Sequence, residues 1–300
     1  MRIEYKILWI EDVKSWYKDN FELAEEYLDD LGFKLVSKLC KNFDEVKQEY
    51  DINKLKDYDL LLVDFTLAGS PNGDEIINFI RNQKDNPILT DVIFYSNDIQ
   101  SVRDSIKKFE LEGVYTTHRT DFTTKFELVV DTTIKKVQEV NSMRGLIMAE
   151  TSDLDELMLT IIQKLLKSND SEKIEQYMKT LLAEIPGNVE NYLSKDINTQ
   201  VQNSLYFNSL KKAKTITQLY KLKGIGQKGF AHSYDENVIS TRNLFAHVTE
   251  KEENGQKVLV SHITGKEEIF NEKRCIEIRH TLIKYREILE KINTELNPKP

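Results

Sequence analysis

The 300-residue chain has few of the residues that interrupt or crosslink a fold. Cysteine occurs only at Cys40 and Cys275. The two lie far apart in sequence and fit no metal-ligand spacing, which excludes a disulfide scaffold and predicts reduced, buried thiols in a cytosolic protein. No His/Cys/Asp cluster has zinc spacing either. Five prolines and 11 glycines are too few for a long disordered or loop-dominated region. No apolar run approaches the roughly 20 residues that cross a bilayer, so no membrane partner is expected. Met1 to Leu8 enters a strand pattern directly, and neither a signal peptide nor export is expected, which points to the cytoplasm. An excess of positive charge is also missing. The formal charge of -8 argues against a general nucleic-acid coat protein but leaves a local basic site open. What is present is 40% hydrophobic and 31% charged residues, the balance of a soluble globular protein long enough for about two domains.

The first half alternates strands and helices. Tyr5 to Ile10 is a short apolar run followed at once by Glu11 and Asp12. Asn20 to Leu31 has helical spacing and ends at Gly32. Phe33 to Leu39 reads as a second strand and Asp44 to Tyr50 as a second helix. Asp59 to Asp64 is a continuous apolar run ending in an acid, as expected for a strand buried on both faces of a parallel sheet. A loop from Thr66 to Gly73, a helix from Asp74 to Asn82 and a strand from Asp91 to Asn97 follow. A helix from Ile99 to Glu110, a strand from Gly113 to Thr117 and a long helix from Phe122 to Val140 complete this half. The pattern predicts an α/β doubly wound, five-stranded parallel sheet over residues 1–140, with its ligand site beyond the carboxyl ends of the strands.

Glu11, Asp12 and Asp64 fall at those ends. Three carboxylates in one pocket repel one another unless a hard divalent cation joins them, and Mg²⁺ is the natural choice. The alternative is that such acids only cap the helices that follow. This half resembles the receiver domain of two-component response regulators. The resemblance implies that Asp64 accepts a phosphoryl group in a phosphorelay, with a sensor kinase as donor. It implies that Glu11, Asp12, Asp64 and the Thr66 carbonyl hold Mg²⁺. It also makes Ser96 the switch hydroxyl and Tyr115 its aromatic partner. The chain departs from the family in two places. The loop through Ala68-Gly69-Ser70-Pro71-Asn72-Gly73 carries one extra residue. Where the family has a lysine after the fifth strand, this chain has His118 and then Arg119, either of which supplies positive charge, His118 only when protonated.

The second half, 141–300, is mostly helical by pattern. Helices are expected over Leu146 to Leu166, Glu172 to Ile185 (stopped by Pro186-Gly187), Val189 to Leu210, Thr215 to Leu222, Asn237 to Val248 and Ile269 to Leu296, with one hairpin strand over Lys257 to Ile263. No Asp or Glu occurs between Ile197 and Tyr234, whereas Lys211, Lys212, Lys214, Lys221, Lys223 and Lys228 do. Tyr206, Phe207, Tyr220 and Phe230 are interleaved with them. Lysines bind the phosphate backbone of RNA and aromatics can stack on its bases, although such a run is equally a solvated helix face.

Arg242-Asn243-Leu244-Phe245-Ala246-His247 follows this stretch. On a helix, Asn243 and His247 share a face, and the long Arg242 side chain can swing round to it. A guanidinium that binds phosphate beside an imidazole that moves a proton near neutral pH is the minimum equipment for cleaving RNA without a metal. The run resembles the Arg-Asn-x-x-x-His motif of HEPN-domain ribonucleases. The resemblance implies a metal-independent endoribonuclease, a hydrolase with catalytic Arg242, Asn243 and His247. Its products carry a 2′,3′-cyclic phosphate, and its active site is a composite across a homodimer. Stress response or antiviral defence fits by family analogy alone. A second reading from another class is a non-catalytic response-regulator-like protein that signals through dimerisation or partner binding. Arg274 and His280 form a rival pair, and His232 and His262 stand alone. Gly224-x-Gly226-x-x-Gly229 lacks the preceding strand of a dinucleotide fingerprint and reads as a loop.

Overall fold

The structure, a computed structural model, describes residues 3–69, 71–83, 88–167, 172–183, 194–222, 229–262 and 265–296. The chain divides between Glu139 and Val140 into two compact units.

The N-terminal unit contains β1 (Glu4–Ile10), α1 (Lys14–Asp30), β2 (Lys34–Cys40), α2 (Phe43–Asn53), β3 (Leu60–Asp64), α3 (Gly73–Arg81), β4 (Val92–Ser96), α4 (Ile99–Phe109), β5 (Val114–His118) and α5 (Phe122–Ile134). The strands form one parallel sheet in the flavodoxin-like order β2-β1-β3-β4-β5. Every residue of β3 and β4 is buried. Their unbroken apolar runs serve both faces, because side chains alternate along a strand. Ile7, Trp9, Leu60, Leu62, Ile93 and Tyr95 join the helices α1 and α5 in one core. Leu8, Ile10, Leu61, Val63, Val92 and Phe94 join α2, α3 and α4 in the other. Helix α1 begins at Lys14 rather than Asn20. Trp16 and Tyr17, in that added turn, pack edge-on against Trp9, so tertiary packing extends the helix beyond its periodic stretch. Helix α5 stops at Ile134, short of the predicted Val140, and a 3₁₀ turn over Lys135–Gln138 follows.

The C-terminal unit is helical with a small sheet. Its helices are α6 (Val140–Lys167), α7 (Glu172–Ala183), α8 (Ile197–Gln202), α9 (Ser209–Leu222), α10 (Phe230–Tyr234), α11 (Ser240–Ala246) and α12 (Glu272–Glu295). The long α6 packs against α9 and α12. Its buried positions, among them Met143, Leu146, Ile147, Leu154, Met158, Ile161, Ile162 and Leu165, recur at helical spacing. A π-helical turn, Asp235–Ile239, joins α10 to α11. Among the described residues the predicted helix Val189 to Leu210 is broken, with α8 covering its middle and its last two residues opening α9, which starts at Ser209 rather than Thr215. The Pro186-Gly187 stop lies outside the described residues.

Instead of one hairpin strand, β6 (Val248–Glu253), β7 (Gln256–Ser261) and β8 (Glu267–Phe270) form an antiparallel sheet in that order. Asn254 and Gly255, both left-handed at φ 53° and 74°, make the β6–β7 turn. The closing helix starts at Glu272 because Ile269 and Phe270 belong to β8, and the Asn271 side chain caps it by accepting from the Arg274 N–H at 2.9 Å.

Candidate functional site

In the N-terminal unit the carboxyl edge of the sheet gathers the acids. Glu11 and Asp12 follow β1 directly, and Asp64 ends β3, its neighbour in the sheet. One carboxylate oxygen from each lies within 4.8 Å of the others. Glu11 is fully buried and Asp64 is 2% exposed. Glu11 Oε1 accepts from the Val13 N–H at 2.8 Å, and Glu11 Oε2 accepts from the Tyr95 hydroxyl at 3.2 Å. Asp12 Oδ2 accepts from the Ala68 N–H at 2.7 Å, whereas Asp12 Oδ1 is buried with no hydrogen-bond partner. This is an all-oxygen donor set of the kind a hard divalent cation takes, and the orphaned Asp12 oxygen fits such an ion.

The positive charge in the pocket comes from Arg119. Its Nη2 donates to Glu11 Oε2 and to Asp64 Oδ2, each at 2.8 Å. His118, the last residue of β5, is turned to another task. Its Nδ1 accepts from the Thr120 N–H at 3.2 Å, so the assigned tautomer has Nε2 donating to the Asn97 carbonyl at 3.0 Å. The imidazole therefore caps the 3₁₀ turn Arg119–Asp121 while the next side chain enters the pocket. Ser96 is buried at the end of β4, where its Oγ accepts from the Asp98 N–H at 3.0 Å. Tyr115 is 37% exposed on β5, and Thr66 is exposed in the loop after β3. Trp16, which no motif singled out, lies under the Arg119 guanidinium at 4.6 Å.

Burial pushes the Glu11 carboxyl up to about 7, helped by the Asp64 charge and opposed by the Val13 hydrogen bond and Arg119. Burial likewise pushes Asp64 up to about 6, against the pull of Arg119. A carboxyl whose pKa rises on folding favours the folded state below its ordinary value and loses that contribution as pH climbs through the folded value. Without divalent cation, the stability of this unit is therefore expected to fall between about pH 4 and pH 7. For Glu11 alone the change is on the order of 3 kcal/mol. Thermal unfolding of the full chain in EDTA, followed by tryptophan emission, checks this; a midpoint independent of pH over that range contradicts it.

In the C-terminal unit, Arg242 sits on α11 immediately after the π turn, a feature that recurs at functional sites. Its Nη1 donates to Ser209 Oγ at 2.8 Å, and its Nη2 lies 3.4 Å from Asn243 Oδ1. The Ser209 hydroxyl donates to Asp155 Oδ2 at 2.6 Å. Arg242 is thus tied to the first residue of α9, the helix that carries the lysines. His247 is not on the helix. Helix α11 ends at Ala246, and His247 has φ −133°, with its carbonyl accepting from the His262 N–H at 2.8 Å. The start of β6 ends the helix, so the spacing rule that puts Asn243 and His247 on one helical face fails at its second member. His247 is exposed, and its side chain makes no hydrogen bond among the described residues.

The lysine stretch also divides. Lys214 and Lys221 are exposed and Lys211 is half-buried. Lys212 is 6% exposed and pairs with Asp155 at 3.8 Å, which turns it away from a nucleic-acid surface. Lys223 and Lys228, like the loop at Gly224 and Gly226, lie outside the described residues. Phe207, Tyr220 and Phe230 are buried, so they are core residues and not platforms for bases; Tyr206 is half-buried. In the rival pair, Arg274 is engaged by Glu268 and by Glu277. His232 lies 3.4 Å from Glu236, one helical turn on.

No protein-family model matches the chain, and no curated protein matches it. Among solved structures, one described as a yeast Spc42 trimeric coiled coil fused to another structure aligns with 17% identity over 45% of this chain and 80% of that one, at a TM-score of 0.34. A likeness of that size carries no argument about fold or function. Among the described residues, no helix is long and apolar enough to cross a membrane.

Proposed function

We propose that the chain is a signalling-regulated endoribonuclease, in which a receiver-like unit controls a HEPN-type, metal-independent RNA-cleaving unit. The observation that carries the reading is the setting of the Arg242 motif. The guanidinium is anchored through Ser209 to the start of the lysine-bearing helix, and an exposed His247 follows just past the end of α11.

In this reading His247 is the general acid or base on the attacking 2′-hydroxyl or the leaving 5′-oxygen, and Arg242 stabilises the charge that builds on the phosphorane. Asn243, 3.4 Å from the Arg242 guanidinium, orients it. Lys211, Lys214 and Lys221 provide attraction for the RNA backbone. A homodimer pairs two such motifs into one composite site. At the other unit, Asp64 is the phosphoacceptor for a sensor kinase, with Glu11, Asp12, Asp64 and the Thr66 carbonyl as the residues that hold Mg²⁺. When bound, Mg²⁺ neutralises the oxygens of the transferring phosphoryl group. In this reading Ser96 is the switch hydroxyl and Tyr115 its aromatic partner.

The experiment is RNA cleavage by the full chain in EDTA, with product ends identified. Cleavage that leaves 2′,3′-cyclic phosphates and is lost in His247→Ala supports the reading. One observation favours a non-catalytic signalling protein: Arg242 is already occupied by Ser209 and Asn243. An absence of cleavage, together with a change in oligomeric state on adding a phosphoryl mimic, selects that alternative.

A further inference from the structure

The acidic pocket already contains a cation, and the fold holds it there from behind. The Arg119 Cζ lies 4.6 Å from the Trp16 ring centroid and 5.6 Å from that of Tyr95. Trp16 is itself stacked on Tyr95, with centroids 4.5 Å apart and planes at 26°. The Tyr95 hydroxyl is fixed in turn, accepting from Trp9 Nε1 at 3.0 Å and donating to Glu11 Oε2 at 3.2 Å. This aromatic platform aims the guanidinium at Glu11 and Asp64, two of the three carboxylates on which a divalent cation depends.

A guanidinium keeps its proton at any pH a protein tolerates, so only movement removes its charge. A divalent cation arriving between Glu11 and Asp64 meets that charge at close range, in a pocket where burial leaves little water to screen it. A phosphoryl group on Asp64 reverses the balance. Its oxygens offer the planar fork a partner of its own, and Arg119 can then release the carboxylates without losing its ion pair.

We infer that Arg119 is a tethered counter-cation that competes with the divalent ion for Glu11 and Asp64. Metal alone binds weakly, and metal together with a phosphoryl group at Asp64 binds cooperatively. The inference deepens the receiver reading and rests on it. It also comes with a built-in reporter. The chain has two tryptophans: Trp16 lies under the Arg119 guanidinium, and Trp9 is buried behind it, with ring centroids 6.1 Å apart and its Nε1 donating to the Tyr95 hydroxyl. Withdrawal of the guanidinium from the Trp16 face changes their emission.

The test is titration of the full chain with Mg²⁺, by calorimetry and by tryptophan emission, with and without beryllium trifluoride as phosphoryl mimic. Arg119→Gln is expected to bind Mg²⁺ alone roughly tenfold or more tightly than the wild type. Beryllium trifluoride is expected to tighten Mg²⁺ binding by the wild type far more than by this variant. Arg119→Lys retains the charge and stays near the wild type. Equal Mg²⁺ affinity in wild type and Arg119→Gln overturns the competition and leaves the receiver reading standing. No Mg²⁺ binding by any form removes both. If Arg119→Gln does not fold, the wild type decides. Mg²⁺ binding accompanied by an emission change supports the inference, and binding with unchanged emission overturns it.

Discussion

Replacing His247 with alanine is expected to reduce RNA cleavage by ~10²–10⁴-fold, the usual contribution of a positioned proton-transfer group. Stability should change by no more than about 0.5 kcal/mol. The two halves of this expectation come from the same observation. The imidazole is exposed, packs no core and makes no hydrogen bond among the described residues, so its removal leaves the fold's interactions intact. Arg242→Ala should behave differently. It is also expected to abolish cleavage, but Ser209 loses a donor and the Asp155 carboxylate behind it loses a nearby positive charge. That costs about 1–3 kcal/mol. Arg242→Lys restores charge without the planar fork and should recover stability more than activity. Cleavage kinetics beside thermal melts of the three variants give the comparison. Cleavage by His247→Ala at the wild-type rate would move the chemistry elsewhere, with His280 the next candidate.

The sheet was legible in the sequence because burial writes itself into the strands. Leu60 to Asp64 and Val92 to Ser96 are apolar runs too short for helices, and each becomes a central strand with no exposed residue. Their ends fix where Asp64 and Ser96 fall, and Glu11 and Asp12 follow β1 for the same reason. Which cation enters the pocket was less legible. His118 and Arg119 are adjacent, and only the 3₁₀ turn after β5 sends one side chain to the Asn97 carbonyl and the other to the acids.

In the second half, β6 escaped because its sequence, Val-Thr-Glu-Lys-Glu-Glu, is an exposed edge strand with almost no apolar alternation. The Asn254-Gly255 pair was the available signal for that hairpin. The missed strand had a consequence at the motif, since the start of β6 is what ends the helix before His247. The buried Phe207 and Tyr220 show a different limit. Composition alone does not distinguish an aromatic that stacks on a base from one that fills a core.

Gly73→Ala is expected to destabilise the N-terminal unit by about 3 kcal/mol or more, the upper end of what overpacking costs. Gly73 is the first residue of α3, and the loop from β3 returns there, closed by a 3.0 Å hydrogen bond from the Gly73 N–H to the Phe65 carbonyl. A Cβ at this position falls 2.1 Å from the Asp64 carbonyl oxygen and 2.9 Å from Val63 Cγ1. The nearer obstacle is backbone, and it belongs to β3, which is paired to β1 on one side and β4 on the other. No side-chain rotation relieves the contact; α3 or the central strand must shift. Against a total stability of about 5–15 kcal/mol, this is a large fraction. Tryptophan emission during urea unfolding isolates the N-terminal unit, because Trp9 and Trp16 both lie in it. The obstructed oxygen belongs to the same residue as the proposed phosphoacceptor carboxylate. Any folded fraction of Gly73→Ala should therefore also carry a displaced Asp64 and a weakened pairing with Arg119. An unfolding midpoint equal to that of the wild type contradicts the close approach of α3 to the Asp64 carbonyl.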